Sequence, residues 1–308
     1  MNAQTKKELK KLFPKAIFNE PLKKHCTFRI GGPADVFIEI EDPTQLIEYA
    51  TKNTIPLIII GGGSNVLFHD KGFRGIVIRL KPGPIKFAPP KTPKTLTAPA
   101  GTSLQTVIKK AQEKGFHNLS RLTGIPGTLG GAIRGNAGAN GLEIKDVLKS
   151  ATILNPKTGR IRTATPEQLK MKYRHSALKK TNEIVLKATL KLSKGKPIPK
   201  SLATNRTGTQ PYGLSAGSFF KNPDHKNPKL SAGYLIEQCG LKGHEIGGTK
   251  ISEKHANFIQ NLNDTSSPVT QKDVLRLAAL AKQKVYKKFK ITLEEEVQII
   301  PEKPKKST

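Results

Sequence analysis

Glycine clusters twice along this chain, and both clusters limit what the backbone can form. Residues 61–65 read Gly-Gly-Gly-Ser-Asn; they follow the apolar run 56–60 and precede a second apolar run at 75–80. Glycine lacks the Cβ atom that disfavours a positive φ, so successive N–H groups can converge on one point. We therefore expect a backbone cradle for an anion at the end of a strand, with a pyrophosphate as its natural ligand.

Two common phosphate-binding motifs do not fit this first cluster. The dinucleotide fingerprint has spaced glycines that open a helix, whereas these glycines are contiguous and lead into strand-like sequence. A P-loop needs a lysine followed by Ser or Thr after spaced glycines, and that pattern is absent. Taken alone, the three glycines are also compatible with a simple tight turn.

The second cluster is longer and changes that balance. Residues 123–141 contain seven glycines, a density that ordinary helices and strands do not tolerate. The interleaved Ile125, Leu129 and Ile133 argue against a disordered linker, which favours a folded loop in contact with a ligand. Two such segments in one chain indicate an extended, phosphate-bearing ligand such as a dinucleotide.

Composition limits the class of protein. With 308 residues and 36% apolar content, the chain can form two or three globular domains. It shows no apolar run typical of a membrane span or signal peptide, so we expect a cytoplasmic protein without membrane insertion. Cys26 and Cys239 lie far apart without CxxC or histidine-linked spacing, and we expect neither a disulfide framework nor a metal site.

The formal net charge of +30 invites a nucleic-acid hypothesis. The basic residues are spread over the whole length, however, and no stacking aromatics are interleaved with them. A solvated, charged surface is the preferred interpretation, and we expect no specific nucleic-acid partner. Such a surface would still raise the local concentration of anionic substrates such as nucleotides.

Apolar periodicity predicts the secondary structure around the two clusters. Strands are expected at 36–40, 56–60, 75–80, 151–154, 159–163, 183–191 and 291–300, and helices at 43–51, after Thr102 or Ser103 to about 114, and at 167–169. A capping box at 270–273 precedes a helical face of Val274, Leu277, Ala278, Ala281 and Val285. The Pro-, Gly- and Lys-rich residues 192–201 are the best candidate linker.

Arg174, Ser218 and Glu296 each lie in an unusual local context. Arg174 follows Tyr173 in a polar run that is either a capped, exposed turn or a cationic site for developing negative charge. Ser218 lies between small residues and two phenylalanines, which could place a hydroxyl in an apolar pocket or form an ordinary turn; GxSxG is absent. Alternation in 291–300 nominates Glu295 as a partly buried carboxylate, or else a solvated acidic stretch.

Taken together, the motifs resemble those of the UDP-N-acetylenolpyruvoylglucosamine reductase family, over nearly the whole sequence. The resemblance rests on motifs at residues 27–34, 61–65, 124–132, 136–138, 173–174, 216–218, 232–233, 240–243, 252–258 and 293–297. It implies an α+β fold: an FAD-binding module of the vanillyl-alcohol-oxidase (PCMH) type made of two α/β subdomains, 1–80 and 81–198, and a C-terminal α+β substrate domain, 199–308. The shorter subclass, without an extra substrate-closing loop, is implied.

The resemblance also implies a reaction and a set of residues. In this family NADPH reduces the flavin, hydride passes to C3 of the enolpyruvyl UDP-sugar, and a proton is added at C2. Matched by motif, Ser218 is the proton donor, while Arg174 and Glu296 polarise the substrate carboxylate. Implied FAD-binding residues are Gly61, Gly62, Gly63, Ser64, Asn65, Gly124, Ile125, Pro126, Gly127, Thr128, Gly130, Gly131, Ala132 and Gly138. Implied substrate-binding residues are Tyr173, Lys221 and Asn222.

Two alternatives remain open at this point. One is another flavoprotein of the same fold acting on a different small molecule, against which the set Arg174, Ser218 and Glu296 argues. The other is a basic, nucleic-acid-associated protein in which the glycines are structural; salt-dependent binding without flavin would support it. We expect a monomer whose partners are the UDP-sugar and NADPH.

Overall fold

The structure, a computed structural model, describes residues 1–89, 91–92, 94–195, 208, 210–224, 226–263 and 268–303. Helices and strands are both abundant in it, as predicted. The chain divides into two compact units. Unit 1 comprises Met1–Ile17, Val36–Gly62 and Gly75–Arg206, and unit 2 comprises Phe18–Asp35, Gly63–Arg74 and Thr207–Thr308.

The elements alternate along the chain. The α-helices are α1 Ala3–Leu12, α2 Thr44–Lys52, α3 Leu104–Glu113, α4 Leu129–Gly135, α5 Ile144–Val147, α6 Leu178–Thr181, α7 Ala232–Gln238 and α8 Gln271–Phe289. The strands are β1 Ile17–Pro21, β2 Pro33–Ile40, β3 Leu57–Ile60, β4 Val66–Phe68, β5 Phe73–Leu80, β6 Lys86–Ala88, β7 Thr95–Pro99, β8 Gly138–Ala139, β9 Leu142–Glu143, β10 Leu148–Leu154, β11 Ile161–Ala164, β12 Ile184–Lys191, β13 Leu214–Ser218, β14 Glu245–Ile246, β15 Thr249–Ile251, β16 Phe258–Asn261 and β17 Gln298–Ile300. The first sheet has the order β1-β2-β5-β3.

Unit 1 is organised around an antiparallel sheet of order β11-β10-β12-β7-β6. Helix α4 packs against β12 and β7, and α3 packs against α4. The apolar face of α3, with Leu104, Val107, Ile108 and Ala111, is buried as its 3.6-residue period requires. Strand β3 pairs in parallel with β5 and is the last strand of the sheet β1-β2-β5-β3. The first glycine cluster therefore follows an edge strand.

Unit 2 contains a sheet of order β13-β16-β15-β14, against which α8 packs. The predicted capping box is present: Thr270 Oγ1 accepts the Asp273 N–H, and Asp273 accepts the Thr270 N–H. All five residues of the predicted helical face are buried. A second, parallel pair joins β17 to β4, with Gln298 opposite Val66.

Three element predictions are wrong in part. The helix expected at 167–169 is a turn, closed by bonds from the Leu169 and Lys170 N–H groups to Thr165 and Glu167. The strand expected at 291–300 is confined to β17, because residues 294–297 bond irregularly to the backbone after Ser218. The second glycine cluster is not only a loop, since it contains α4. Of the expected linker 192–201, residues 196–201 lie outside the described residues.

Candidate active site

In unit 1 the two glycine clusters touch each other. A Cβ atom on Gly61 would lie 2.5 Å from Thr128 Oγ1, and one on Gly62 would lie 2.9 Å from Gly127 Cα. Contacts this short leave no room for a side chain. Gly61 therefore fits against the Thr128 side chain, and Gly62 packs main chain against main chain with Gly127.

Only one glycine of the first cluster is required by a positive φ. Gly63, in unit 2, has φ +69°, and a Cβ there would overlap the His25 carbonyl oxygen. Gly61 and Gly62 do not have positive φ angles, so the expectation that all three glycines serve backbone rotation is wrong. The first two are needed because the second cluster packs against them.

The second cluster provides shape more than free N–H donors. Thr128 is the N-cap of α4, and its Oγ1 accepts the Gly131 N–H at 3.4 Å. The Gly130 N–H donates to Ala100 O, and the Gly124 N–H donates to Gln105 Oε1. These N–H groups are already used inside unit 1, so the cluster favours a ligand chiefly by leaving its backbone bare.

Arg174 lies at the tip of a tight turn in unit 1. Lys172 and His175 form a bridge that closes the turn, and Arg174 takes a left-handed conformation with φ +51°. Its Nη1 lies 3.5 Å from Gly138 O, and its guanidinium stacks over the Tyr173 ring at 5.4 Å. The turn thus presents a half-buried cation beside the hairpin strand β8.

Ser218 ends β13 in unit 2, at an irregularity of the strand. Gly217 has φ +77°, and the pairing of β13 with β16 shifts register between Ser215 and Ser218. The following Phe219 and Phe220 are almost fully buried and meet edge to face, with ring centroids 5.1 Å apart. The two buried aromatics anchor the chain directly after the serine, while Ser218 itself remains half-buried.

Glu296 is tied to the same backbone. Its N–H donates to Phe219 O at 2.8 Å, so the residue after Ser218 holds the glutamate segment beside the serine. Asn65 supports it from the other side: its Nδ2 donates to Glu296 O at 3.1 Å, and its own carbonyl accepts the Gln298 N–H. Unit 2 therefore brings together Ser218, Glu296 and Asn65, three residues that are remote in sequence.

The neighbouring glutamates have other partners. Glu295, which strand alternation nominated, lies outside β17 in an isolated bridge with Phe220, and its side chain pairs with Lys282 at 2.9 Å. Glu294 is paired with Lys221 at 2.9 Å, and the hydrogen bond from Lys221 lowers the pKa of the Glu294 carboxyl. All three glutamates bond through their backbone to the segment after Ser218, but the side chains of Glu294 and Glu295 are paired with lysines.

Asn222 and the cysteines complete the inventory. Asn222 Oδ1 accepts the N–H of Ala232, the first residue of α7. Cys26 and Cys239 are free thiols, and burial raises the pKa of both. Within the described ranges there is no group of His, Cys, Asp and Glu side chains arranged for a metal ion, and no helix there is long and apolar enough to span a membrane.

Sequence reasoning missed Asn257 in the loop before β16. Its side chain and carbonyl bond to Phe219 and Phe220, directly after Ser218. The residue lies in the motif at 252–258, but an isolated polar residue there carries no periodic or compositional signal. Its hydrogen bonds to the chain after Ser218 become visible only when the folded structure brings the segments around 219 and 257 together.

Comparisons with known proteins agree with this architecture. Residues 38–165 match the family described as "FAD binding domain", and residues 210–300 match "UDP-N-acetylenolpyruvoylglucosamine reductase, C-terminal domain". The predicted fold class, an FAD-binding module of the vanillyl-alcohol-oxidase type with a C-terminal domain and mixed α and β content, is confirmed.

Similar proteins cover nearly the whole chain. A UDP-N-acetylenolpyruvoylglucosamine reductase of Alkaliphilus oremlandii is 42% identical over 307 residues, covering 96% of this chain and 97% of the relative. One of Clostridioides difficile is 40% identical over 293 residues, covering 92% and 93%. The crystal structure of the reductase MurB from Thermus caldophilus superposes with a TM-score of 0.71 at 30% identity, covering 93% and 98%. The chain belongs to the UDP-N-acetylenolpyruvoylglucosamine reductase family.

Proposed function

We propose that this protein is an oxidoreductase that reduces UDP-N-acetylglucosamine enolpyruvate to UDP-N-acetylmuramate, with FAD as cofactor and NADPH as reductant. The product is a precursor of peptidoglycan, so the reaction serves cell-wall synthesis. The observation that carries the proposal is the bond from Glu296 N–H to Phe219 O, which holds the acid beside Ser218. Both residues lie in the part matched to the reductase C-terminal domain.

The glycine clusters fit an FAD-binding role. Gly61 lies against Thr128 and Gly62 against Gly127 at distances that exclude a Cβ atom, and glycines of this kind let a backbone approach a ligand closely. We assign cofactor contacts to Gly61, Gly62, Gly63, Ser64, Asn65, Gly124, Ile125, Pro126, Gly127, Thr128, Gly130, Gly131, Ala132 and Gly138. When bound, FAD supplies to substrate the hydride that it receives from NADPH.

The proton is the task of Ser218. Addition of hydride at C3 of the enolpyruvyl group moves negative charge into the substrate carboxylate and leaves C2 to be protonated. A serine hydroxyl positioned at C2 donates that proton as a general acid. The half-buried setting of Ser218, backed by Phe219 and Phe220, limits water as a competing proton source.

Arg174 and Glu296 manage the developing charge. A guanidinium binds a carboxylate through two parallel N–H groups, and its attraction strengthens as charge accumulates there. Glu296 adds an acidic hydrogen-bond donor to the same carboxylate. Asn65 and Phe219 hold the Glu296 backbone from two directions, so the acid is positioned before substrate arrives.

The remaining assigned residues bind substrate. Lys221 would contact the diphosphate of the UDP-sugar, for which it must leave Glu294; that exposed pair costs little to open, about 0–1 kcal/mol. Asn222 and Tyr173 complete the substrate contacts. In this proposal FAD is bound by two subdomains, 1–80 and 81–198, and substrate by 199–308. The enzyme acts as a cytoplasmic monomer without a specific nucleic-acid partner.

Product analysis tests the proposal. Protein loaded with FAD is mixed with NADPH and the enolpyruvyl UDP-sugar, and the nucleotide sugars are identified by mass spectrometry. We expect a product two hydrogens heavier than the substrate, formed only when NADPH is present. FAD binding with oxidation of NADPH but no such product would redirect the search to another flavin-dependent reaction, and salt-sensitive nucleic-acid binding without FAD would overturn the proposal.

A further inference from the structure

The geometry points to Asn257 as the positioning residue for the proton donor Ser218, an inference that rests on the proposed function. Asn257 lies in the loop that precedes β16 and is 2% exposed. It does not adjoin Ser218 in sequence, and nothing in the reaction chemistry calls for an amide there. Its hydrogen bonds give it this role.

Three of those bonds grip the two residues that follow the serine. The Phe219 N–H donates to Asn257 O at 2.7 Å. The Phe220 N–H donates to Asn257 Oδ1 at 2.9 Å, and Asn257 Nδ2 donates to Phe220 O at 2.8 Å. The side-chain amide of Asn257 thus both accepts a hydrogen bond from Phe220 and donates one to it. Only an amide offers a donor and an acceptor in this spacing.

The remaining main-chain group, the carbonyl oxygen of Phe219, bonds to the glutamate segment, residues 294–297. Phe219 O accepts the N–H groups of Glu296, at 2.8 Å, and Val297, at 3.3 Å. Every main-chain donor and acceptor of Phe219 and Phe220 is therefore engaged by Asn257 or by the glutamate segment. Asn257 therefore holds the chain that follows Ser218, while the glutamate segment is anchored to the same chain through separate bonds to Phe219 O.

Asn257 is itself fixed in place. Its N–H donates to His255 Nδ1 at 3.2 Å, and burial lowers the pKa of His255, which keeps that ring neutral with an acceptor nitrogen available. The next residue, Phe258, pairs with Ser218 across β13 and β16. Because β13 changes register just before the serine, Ser218 has only this one ladder pair after the irregularity, and the bonds of Asn257 to Phe219 and Phe220 add a second constraint on its position.

Asn261 offers a matched control in the same unit. It is 8% exposed and also bonds backbone groups with its side chain, through Nδ2 to Phe28 O at 2.9 Å and Oδ1 from the Asn263 N–H at 2.7 Å. It has no bond to the residues after Ser218. Asn261→Leu removes similar bonds at a similar depth without touching the serine segment.

The test uses the FAD-loaded protein and two half-reactions. Flavin absorbance reports its reduction by NADPH and then its anaerobic reoxidation by the enolpyruvyl UDP-sugar. We expect Asn257→Leu to slow reoxidation about 10²-fold, the cost of misplacing a reacting group by roughly 1 Å. Reduction by NADPH should stay within about twofold, as should both half-reactions of Asn261→Leu.

A second variant and a double-mutant cycle distinguish a positioning role from a general loss of structure. Asn257→Asp keeps the volume and one acceptor but loses the donor to Phe220 O, so it carries the test if the Leu variant does not fold. In a Ser218→Ala background, Asn257→Leu should cost little more, because a positioning residue acts through the serine. If Asn257 only maintained the fold, the rate losses of the two single variants would multiply in the double variant.

The outcomes are distinct. Folded, FAD-binding Asn257 variants that reoxidise at the wild-type rate, or losses that multiply with Ser218→Ala, would overturn the inference. A wild-type protein whose reduced flavin is not reoxidised by the enolpyruvyl sugar would instead overturn the proposed function, and the inference with it. The wild-type trace therefore shows which of the two has failed.

Discussion

The glycine contact of unit 1 and the serine–glutamate junction of unit 2 are built from opposite kinds of residue. Gly62 meets Gly127 because neither has a side chain, and Gly61 leaves room for the hydroxyl of Thr128. Ser218 and Glu296 are brought together by backbone bonds to Phe219, and the buried amide of Asn257 holds the same segment.

The difference explains how each region tolerates change. A bare-backbone contact fails when any atom is added, since the neighbour is itself backbone and cannot move aside. A junction of hydrogen bonds fails when a polar atom is removed, since its buried partner is left without one. The first region should therefore be sensitive to size and the second to chemistry, and the predictions below test that contrast.

The largest expected effect is chemical. Ser218→Ala should lower turnover by about 10²–10⁴-fold, the usual contribution of a positioned general acid. Its FAD affinity should equal that of the wild type, because Ser218 is not among the assigned cofactor contacts. Steady-state turnover and a flavin titration measure the two quantities. Equal turnover in the variant and the wild type would remove Ser218 from the reaction.

Next come the three consecutive glutamates, which differ in their partners. Glu296→Gln should slow turnover about 10²-fold, because the amide cannot serve as an acidic donor to the substrate carboxylate. Glu295→Gln and Glu294→Gln are the matched controls, and their turnover should change little. Parallel kinetic assays of the three proteins suffice. A loss that follows Glu295 would favour strand alternation over the observed junction.

A smaller effect tests the size rule in unit 1. Gly62→Ala places a Cβ 2.9 Å from Gly127 Cα and should cost about 1–3 kcal/mol in the free energy of unfolding, with weaker FAD binding. Gly135→Ala is the control. Its Cβ meets nothing within 4 Å, and alanine in α4 should raise the free energy of unfolding by as much as about 1 kcal/mol. Denaturant unfolding distinguishes them. Equal effects would refute a close backbone contact.

The smallest effect compares two ion pairs, one in each unit. Arg162 donates two bonds to Glu183, whose side chain is 8% exposed, and this lowers the pKa of Glu183. Because the pKa of Glu183 is lower in the folded state, its ionised form stabilises the fold above the unfolded-state pKa of about 4.3. This stabilisation is lost as pH falls through the folded-state pKa. Glu183→Gln should cost about 1 kcal/mol at pH 7 and progressively less on acidification.

Glu294→Gln is the counterpart in unit 2. Glu294 is 72% exposed and its pair with Lys221 is screened by solvent, so its loss at neutral pH should be the smaller one. Unfolding free energies measured from pH 7 downward provide the comparison. A Glu183→Gln deficit that persists undiminished at low pH would show that packing, not charge, accounts for it.

Much of the framework was predictable because it is local. The face of α8 with Val274, Leu277 and Ala281, and its cap at Thr270, follow from 3.6-residue spacing and capping chemistry within a few residues. The glycine clusters were visible as composition. Their contact was not, because no local rule states that Gly62 will meet Gly127.

The junction in unit 2 was less accessible to sequence reasoning. Alternation over 291–300 assumed a continuous strand, whereas Glu296 and Val297 bond to Phe219 O and only Gln298–Ile300 pairs regularly. Parity nominated Glu295, which is indeed partly buried, whereas the family motif indicated Glu296. Asn257 lies in the motif 252–258, but no local rule gave it a role, because its partner Phe220 lies 37 residues away along the chain.

The most direct measurement is the anaerobic absorbance of flavin bound to the wild type and to Ser218→Ala, first with NADPH and then with the enolpyruvyl UDP-sugar. The account predicts that NADPH bleaches the flavin equally in both proteins. Colour then returns rapidly in the wild type and about 10²–10⁴-fold more slowly in the variant. Equal recovery in both proteins, or no recovery in the wild type, would contradict the assignment of reduction to the serine–glutamate junction.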